Sequence, residues 1–212
     1  MGLHLGYAIE GAIGSYYKID ASYLSPNVKM AERLEGATKS FGVPLLISGS
    51  LYKNFTRKTR GYCRQVDWVM MAGKEEPMKL FTIDVDPSKI PLEDEQPFLN
   101  AKEKKIQRVH ERIKRNNLRE AAFNCQIEVS TTFETNMDII QMRKPFSKSF
   151  MKAYEVAFNL YVKGKWQEAK EAFEFVFEKR PDDPLSKNLI KYMEKTNFVA
   201  PPDWKGYKFF AE

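Results

Sequence analysis

Residues 19–41 read IDASYLSPNVKMAERLEGATKSF, and this stretch decides the fold of the first part of the chain. Ser25-Pro26 predicts a helix start. Serine is a favoured N-cap, and proline at the first helical position gives up an N–H that has no partner there. Met30, Leu34, Ala37 and Phe41 then recur at three- and four-residue spacing, the mark of one buried helix face. Upstream, a strand or loop runs into the cap. Lys29 and Arg33 are four apart and so share a face near the helix start. Two cations there are either an ordinary solvated surface or a phosphate-binding corner, because the dipole and free N–H groups of a first turn also attract anions.

Outward from this helix the first 86 residues carry strand patterns. Leu3, Leu5, Tyr7 and Ile9 alternate as in a strand, with glycines marking a turn or a close approach. Val43 to Ser48 is a short apolar run that predicts a central strand, followed by a short helix around Gly49 to Phe55. Tyr62–Met71 and Met78–Val85 predict two further strands joined by residues 72–77. Residues 87–100 are rich in proline and acid and read as a linker.

Residues 101–144 form a basic amphipathic helix and a connector. Eight Lys and Arg lie between Lys102 and Arg119 against Glu103 and Glu111, a surplus equal to the whole chain's net +6. Ile106, Val109 and Ile113 fall on one stripe of it. Such a helix is either simply solvated or docks an acidic protein surface; nucleic acid is disfavoured because no aromatics are interleaved with the cations. After it, Ser130-Thr-Thr132 argues against a continuous helix across 125–138. In residues 145–199, Tyr154, Ala157 and Tyr161 precede Gly164-Lys-Trp166, and Ala169, Phe173 and Val176 lead to Pro181. The layout is that of one tetratricopeptide (TPR)-like hairpin, with a further helix from Pro184 to about Thr196. One hairpin is too few to be stable alone, so it must pack on the rest of the chain or on a partner. Residues 200–212 read as an extended aromatic tail folding back over an apolar surface.

Several chemistries find no support. No apolar run of about 18 residues exists to span a membrane, and the first residues lack the basic-then-apolar pattern of a secretory signal. Cys63 and Cys125 have no metal-ligand spacing and read as reduced, buried thiols of a cytoplasmic protein. His4 and His110 stand alone, so no zinc site is expected.

Four segments, in order, resemble the class III adenylate and guanylate cyclases. Gly2-Leu-His-Leu-Gly-Tyr-Ala-Ile-Glu-Gly-Ala-Ile-Gly-Ser15 is similar to that family's G-I-H-x-G-x-x-x-G-x-x-G-S strand, and Val28-Lys-Met-Ala-Glu-Arg-Leu-Glu35 to its V-N-x-A-x-R-L-E helix. Leu46-Ile-Ser, and Ala72-Gly-Lys74 to Leu80-Phe-Thr, resemble its later strands and K-G-K turn. The D-A-S-Y-L-S-P variant and the D-W-K-G-Y tail resemble cyclase-domain proteins of ciliated single-celled eukaryotes, which implies a cilium or axoneme as the location. The fold class expected is therefore α+β: the C-terminal half of a ferredoxin-like nucleotide-cyclase fold, then a helical TPR-like region.

The resemblance implies a reaction in which the 3′-hydroxyl of ATP or GTP attacks the α-phosphate and pyrophosphate leaves. Two metal ions held by two aspartates serve that attack. Arg33 matches the family arginine that neutralises charge on the phosphate, and Lys74 the lysine that binds terminal phosphates. Lys29 stands where the family has asparagine; Asn27 cannot replace it, since two positions along a helix turn a side chain by about 200°. Asp20 or Ser22 occupies the base-reading position. The elements carrying both family aspartates would precede Met1 in the family's order, so no metal ligand is expected in residues 1–86. Mg²⁺ or Mn²⁺ would enter only through a partner's carboxylates. Lacking those strands, the Leu3–Ile9 and Leu45–Ser48 strands are expected to need an outside partner to complete the sheet. Three functions follow: a non-catalytic interaction subunit of a larger assembly, one half of a working cyclase site whose partner supplies the aspartates, or a nucleotide bound without turnover as a regulatory ligand.

Overall fold

In the computed structural model, residues 1–90 and 100–210 are described. The chain opens with a two-residue strand, β1 (Gly2–Leu3), and a hairpin of β2 (Ile9–Ser15) and β3 (Lys18–Leu24). Ser25 then caps α1 (Pro26–Phe41): its backbone is extended and its Oγ accepts the Asn27 N–H at 3.0 Å. Met30, Leu34, Ala37 and Phe41 are all buried, as their spacing predicts. The helix ends at Gly42, whose φ of +68° lets its N–H turn back to Lys39 and Thr38. Ser25→Ala should lower stability by about 1 kcal/mol, read from the urea midpoint, because an N–H of the first turn loses its acceptor.

Next come β4 (Leu46–Ser48), α2 (Gly49–Tyr52), α3 (Arg57–Arg60), β5 (Cys63–Met71) and β6 (Met78–Ile83). The described residues then form the helices α4 (Ala101–Phe123), α5 (Thr132–Thr135), α6 (Met137–Arg143), α7 (Lys148–Val162), α8 (Trp166–Lys179) and α9 (Pro184–Glu194). A last strand, β7 (Lys208–Phe210), closes the described chain. The fold is mixed α+β. Its main sheet has the order β1-β4-β6-β5-β7, parallel at β1/β4 and β5/β7 and antiparallel between.

Two expectations are corrected here. Leu3 to Ile9 is not one strand: β1 stops at Leu3, and Ile9 already belongs to the separate hairpin. His4 turns out of line to meet Asn27 and Ser50, and the Tyr7 carbonyl is held by Ser25 and Asn27, so the ladder cannot continue. Nor does β4 lack neighbours. It pairs with β1 and β6, and all three of its residues are buried.

Two compact units divide the chain, residues 1–84 with 146–212, and residues 85–145. Segments that read separately in the sequence, the strand region and the C-terminal helices, share the first unit's core. That core joins Leu34, Leu46, Val69 and Leu80 to Phe150, Tyr161, Trp166 and Leu189. The lone helical hairpin thus buries its apolar face on the chain's own sheet. Between α7 and α8, Gly164 has φ +77°, and a Cβ there would lie 3.1 Å from the Trp204 ring. Trp204 packs on Tyr161 and Trp166 and donates its indole N–H to the Val162 carbonyl at 3.0 Å. The aromatic tail folds back, and β7 extends the sheet beside β5.

Two groups of charges have carboxylates buried in this unit. Arg64 lies between Asp84 and Asp183, and Lys208 meets Asp67 at 2.6 Å.

In the second unit, Asn100 and Glu103 form a reciprocal capping box at the start of α4, and no side chain of that helix is buried. The region after it breaks into a 3₁₀ turn at Val129–Thr131 and two short helices, as the Ser-Thr-Thr cluster implies. Cys125 is exposed and Cys63 only partly buried, which corrects the expectation of two buried thiols. Cys125 falls on the turn that ends α4 rather than on a packed face; its φ is +54°. Most of the linker, residues 91–99, and tail residues 211–212 lie outside the described residues. Among the described residues no helix is long and apolar enough to cross a membrane.

Candidate functional site

The cation pair of α1 lies along an open groove of about 540 Å³, lined by Lys29, Glu32, Arg33, Ser40 and Phe210, with Gly36 and Ala37 beside them. Helical spacing alone aligns Lys29, Arg33 and Ser40, because steps of four and seven residues return to one face. Lys29 is exposed and Arg33 half-buried. Arg33 Nη1 donates to the Ala72 carbonyl at 2.9 Å. Ala72 opens the β5–β6 turn, in which the Lys74 N–H returns to the Met71 carbonyl at 3.1 Å. The arginine of α1 is therefore fastened to the turn that presents Lys74, whose side chain is exposed.

Phe210 was not foreseen at this groove. It arrives on β7, from the far end of the chain, and stacks on Phe41 with ring centroids 5.5 Å apart. An aromatic tail was legible in the sequence; where it lands was not.

Asp20 and Ser22 lie on the β2–β3 hairpin. Asp20 pairs across from Ile13 and Ser22 from Gly11, so the two share a face with Ile9 and Leu24, two and four residues along the ladder. Asp20 meets Lys18 of its own strand at 3.0 Å, both side chains largely exposed. Such a pair contributes little to stability. Ile9, Ile13, Ile19 and Leu24 are between 51% and 72% exposed, and Tyr16 and Tyr17 at the tip are bare.

Asn27 is fully engaged. Its Nδ2 donates to the Tyr7 carbonyl at 2.8 Å, and its Oδ1 meets His4 Nε2 at 3.1 Å. His4 Nδ1 faces Ser50 Oγ at 3.3 Å, and Ser50 faces Ser48 at 2.8 Å. With Asn27 Oδ1 as acceptor, His4 carries its proton on Nε2 and Ser50 donates to Nδ1. This network pins residues 4–7 to the starts of α1 and α2.

Among the described residues no three His, Cys, Asp or Glu side chains come together as a metal would need.

No family model and no solved structure matches the chain. Over 84 residues, 39% of its length, it is 30% identical to an adenylate cyclase of Anabaena cylindrica. The chain carries a cyclase-related segment. It spans only 17% of that relative's length.

Proposed function

We propose that this chain is a cyclase-related interaction subunit, built from half of a ferredoxin-like cyclase fold and a TPR-like hairpin, which joins a partner domain without turning over nucleotide. The observation that carries this is the β2–β3 hairpin. A two-stranded ribbon is marginal in water by itself, yet this one leaves Ile9, Ile13, Ile19 and Leu24 largely open. Ile9, Ile13 and Leu24 share one face of the ribbon, and an exposed apolar face of this kind marks an interface. The partner is a second cyclase-type domain, which would cover the hairpin and face the Lys29–Arg33 groove. Lys29 in the place of the family asparagine favours a binding role over turnover. A ciliary or axonemal assembly, within the cytoplasm, follows from the family resemblance alone.

One observation favours a second function. Arg33 donates to the Ala72 carbonyl, two residues before Lys74, so the two family-matched cations stand on segments tied to each other. A partner bringing two aspartates and Mg²⁺ or Mn²⁺ would complete half of a working purine nucleotide cyclase.

One assay separates the two. The chain, alone and in the native complex isolated through it, is given ATP or GTP with Mg²⁺ or Mn²⁺, and cyclic nucleotide is measured. None is expected in either sample, and Ile13→Glu should release the chain from the complex. Product that appears in the complex and disappears with Arg33→Ala would replace the interaction role by the half-site.

A further inference from the structure

Helix α4 offers a second surface, independent of the cyclase-related segment. Its 23 residues carry no buried side chain. Ile106, Val109 and Ile113 are each about half exposed and Phe123 is 87% exposed. Steps of three, four and ten residues place all four on the seam of a seven-residue repeat, with Asn116 and Glu120 also in the seam. Lys105, Arg112 and Arg119 are spaced seven apart and form a continuous row along one flank of that seam. On the other flank stand Glu103, His110 and Asn117.

These rows decide what can cover the seam. In an antiparallel pair of α4 helices the basic flank would meet its own copy, Lys105 near Arg119 and Arg112 near Arg112, and like charges across a seam oppose association. In a parallel pair the basic row would face His110 and Asn117, which offer it no carboxylate. A lipid surface is also disfavoured: Lys104, Arg108 and Arg115 project from the side opposite the seam, away from any bilayer the seam entered. Binding a nucleic acid through those cations would leave the seam in water.

We infer that α4 is a docking helix for an acidic amphipathic helix of another protein, which lays an apolar stripe on Ile106, Val109 and Ile113 and sets carboxylates against Lys105, Arg112 and Arg119. Asn116 and Glu120 are the polar members of the seam beyond Ile113, so the apolar stripe of the partner is confined to Ile106, Val109 and Ile113. The capping box holds the docking helix formed before the partner arrives, which reduces the ordering cost of association.

The test uses the full chain and three synthetic peptides of three heptads each. The first has leucine in the seam and glutamate on both flanks; the second has lysine on the flanks; the third is a scramble of the first. Fluorescence anisotropy should show binding of the glutamate peptide only, weakened about tenfold or more between low and high salt. Ile106→Asp with Ile113→Asp should abolish it, and since neither side chain is buried, the circular dichroism spectrum should be unchanged. The triple change Lys105→Glu, Arg112→Glu, Arg119→Glu should transfer binding to the lysine peptide. Equal binding of the scramble, no binding of either heptad peptide, or a preference for anionic vesicles or duplex RNA over the glutamate peptide would overturn the inference.

Discussion

Arg64→Ala should cost the first unit about 3–5 kcal/mol, the usual result of removing one member of a buried ion group. Arg64 is 3% exposed. Its Nη1 donates to both oxygens of Asp183 at 2.9 and 3.0 Å, and its Nη2 to Asp84 at 2.6 Å. The guanidinium also lies over the Tyr154 ring at 4.5 Å and near Phe150 at 5.2 Å. Burial works against its charged form, but Asp84 and Asp183 outweigh it and hold the guanidinium above its ordinary pKa. Alanine would leave two carboxylates facing each other in a dry core. It would also loosen α9, because Asp183 Oδ2 accepts the Ser186 N–H at 2.9 Å as that helix's cap. Since a domain holds only about 5–15 kcal/mol in all, the variant should unfold early in urea or fail to accumulate. Arg64→Lys keeps the charge but not the fork of donors and should lie in between. A midpoint shift equivalent to under about 1 kcal/mol for the alanine variant would mean that the ion group does not hold the sheet to the helices.

Lys208→Ala should be comparably damaging and should, in addition, change the pH dependence of stability. Lys208 Nζ lies 2.6 Å from Asp67 Oδ2, and over the rings of Phe41 and Tyr192. Asp67 is wholly buried, and its Oδ1 accepts the Trp68 N–H at 2.8 Å and the Tyr161 hydroxyl at 3.5 Å. Burial raises the Asp67 pKa; Lys208 and these hydrogen bonds pull it part of the way back. A carboxyl whose folded pKa lies above its unfolded one favours the fold below the unfolded value, and that contribution is lost as pH rises through the folded value. Without Lys208 the folded pKa moves further up, so the loss continues to higher pH. The variant should therefore be clearly less stable than the parent near neutral pH, by about 3–5 kcal/mol, and the gap should narrow in acid. Urea unfolding across a pH series checks this, and adding Asp67→Asn should recover most of the loss at neutral pH. A gap that stays constant with pH would show that Lys208 acts by packing alone.

What was legible of the groove is local. Lys29 and Arg33 share a face by helical spacing, whereas the shared face of Asp20 and Ser22 came only with the β2–β3 register. The Arg33–Ala72 bond was not legible. It joins a side chain to a carbonyl 39 residues away, and a backbone acceptor leaves no mark in residue identity. Phe210 in the groove depends on β7 choosing β5, a pairing of segments far apart in the chain.

The residue pattern by itself determined the start of α1 at Ser25-Pro26, its buried face, the strands at β4, β5 and β6, the break after α4 and the hairpin of α7 and α8. Each of these rests on capping, periodicity or turn chemistry within a few residues. Only the tertiary structure decided that His4 leaves the first strand, that the C-terminal helices cover the sheet, and that Arg64 and Lys208 find their carboxylates in the core. Those choices depend on which distant surfaces can exclude water together. A buried charge is tolerated only where the fold brings its counter-charge, and neither partner reveals the other from its own neighbourhood in the chain.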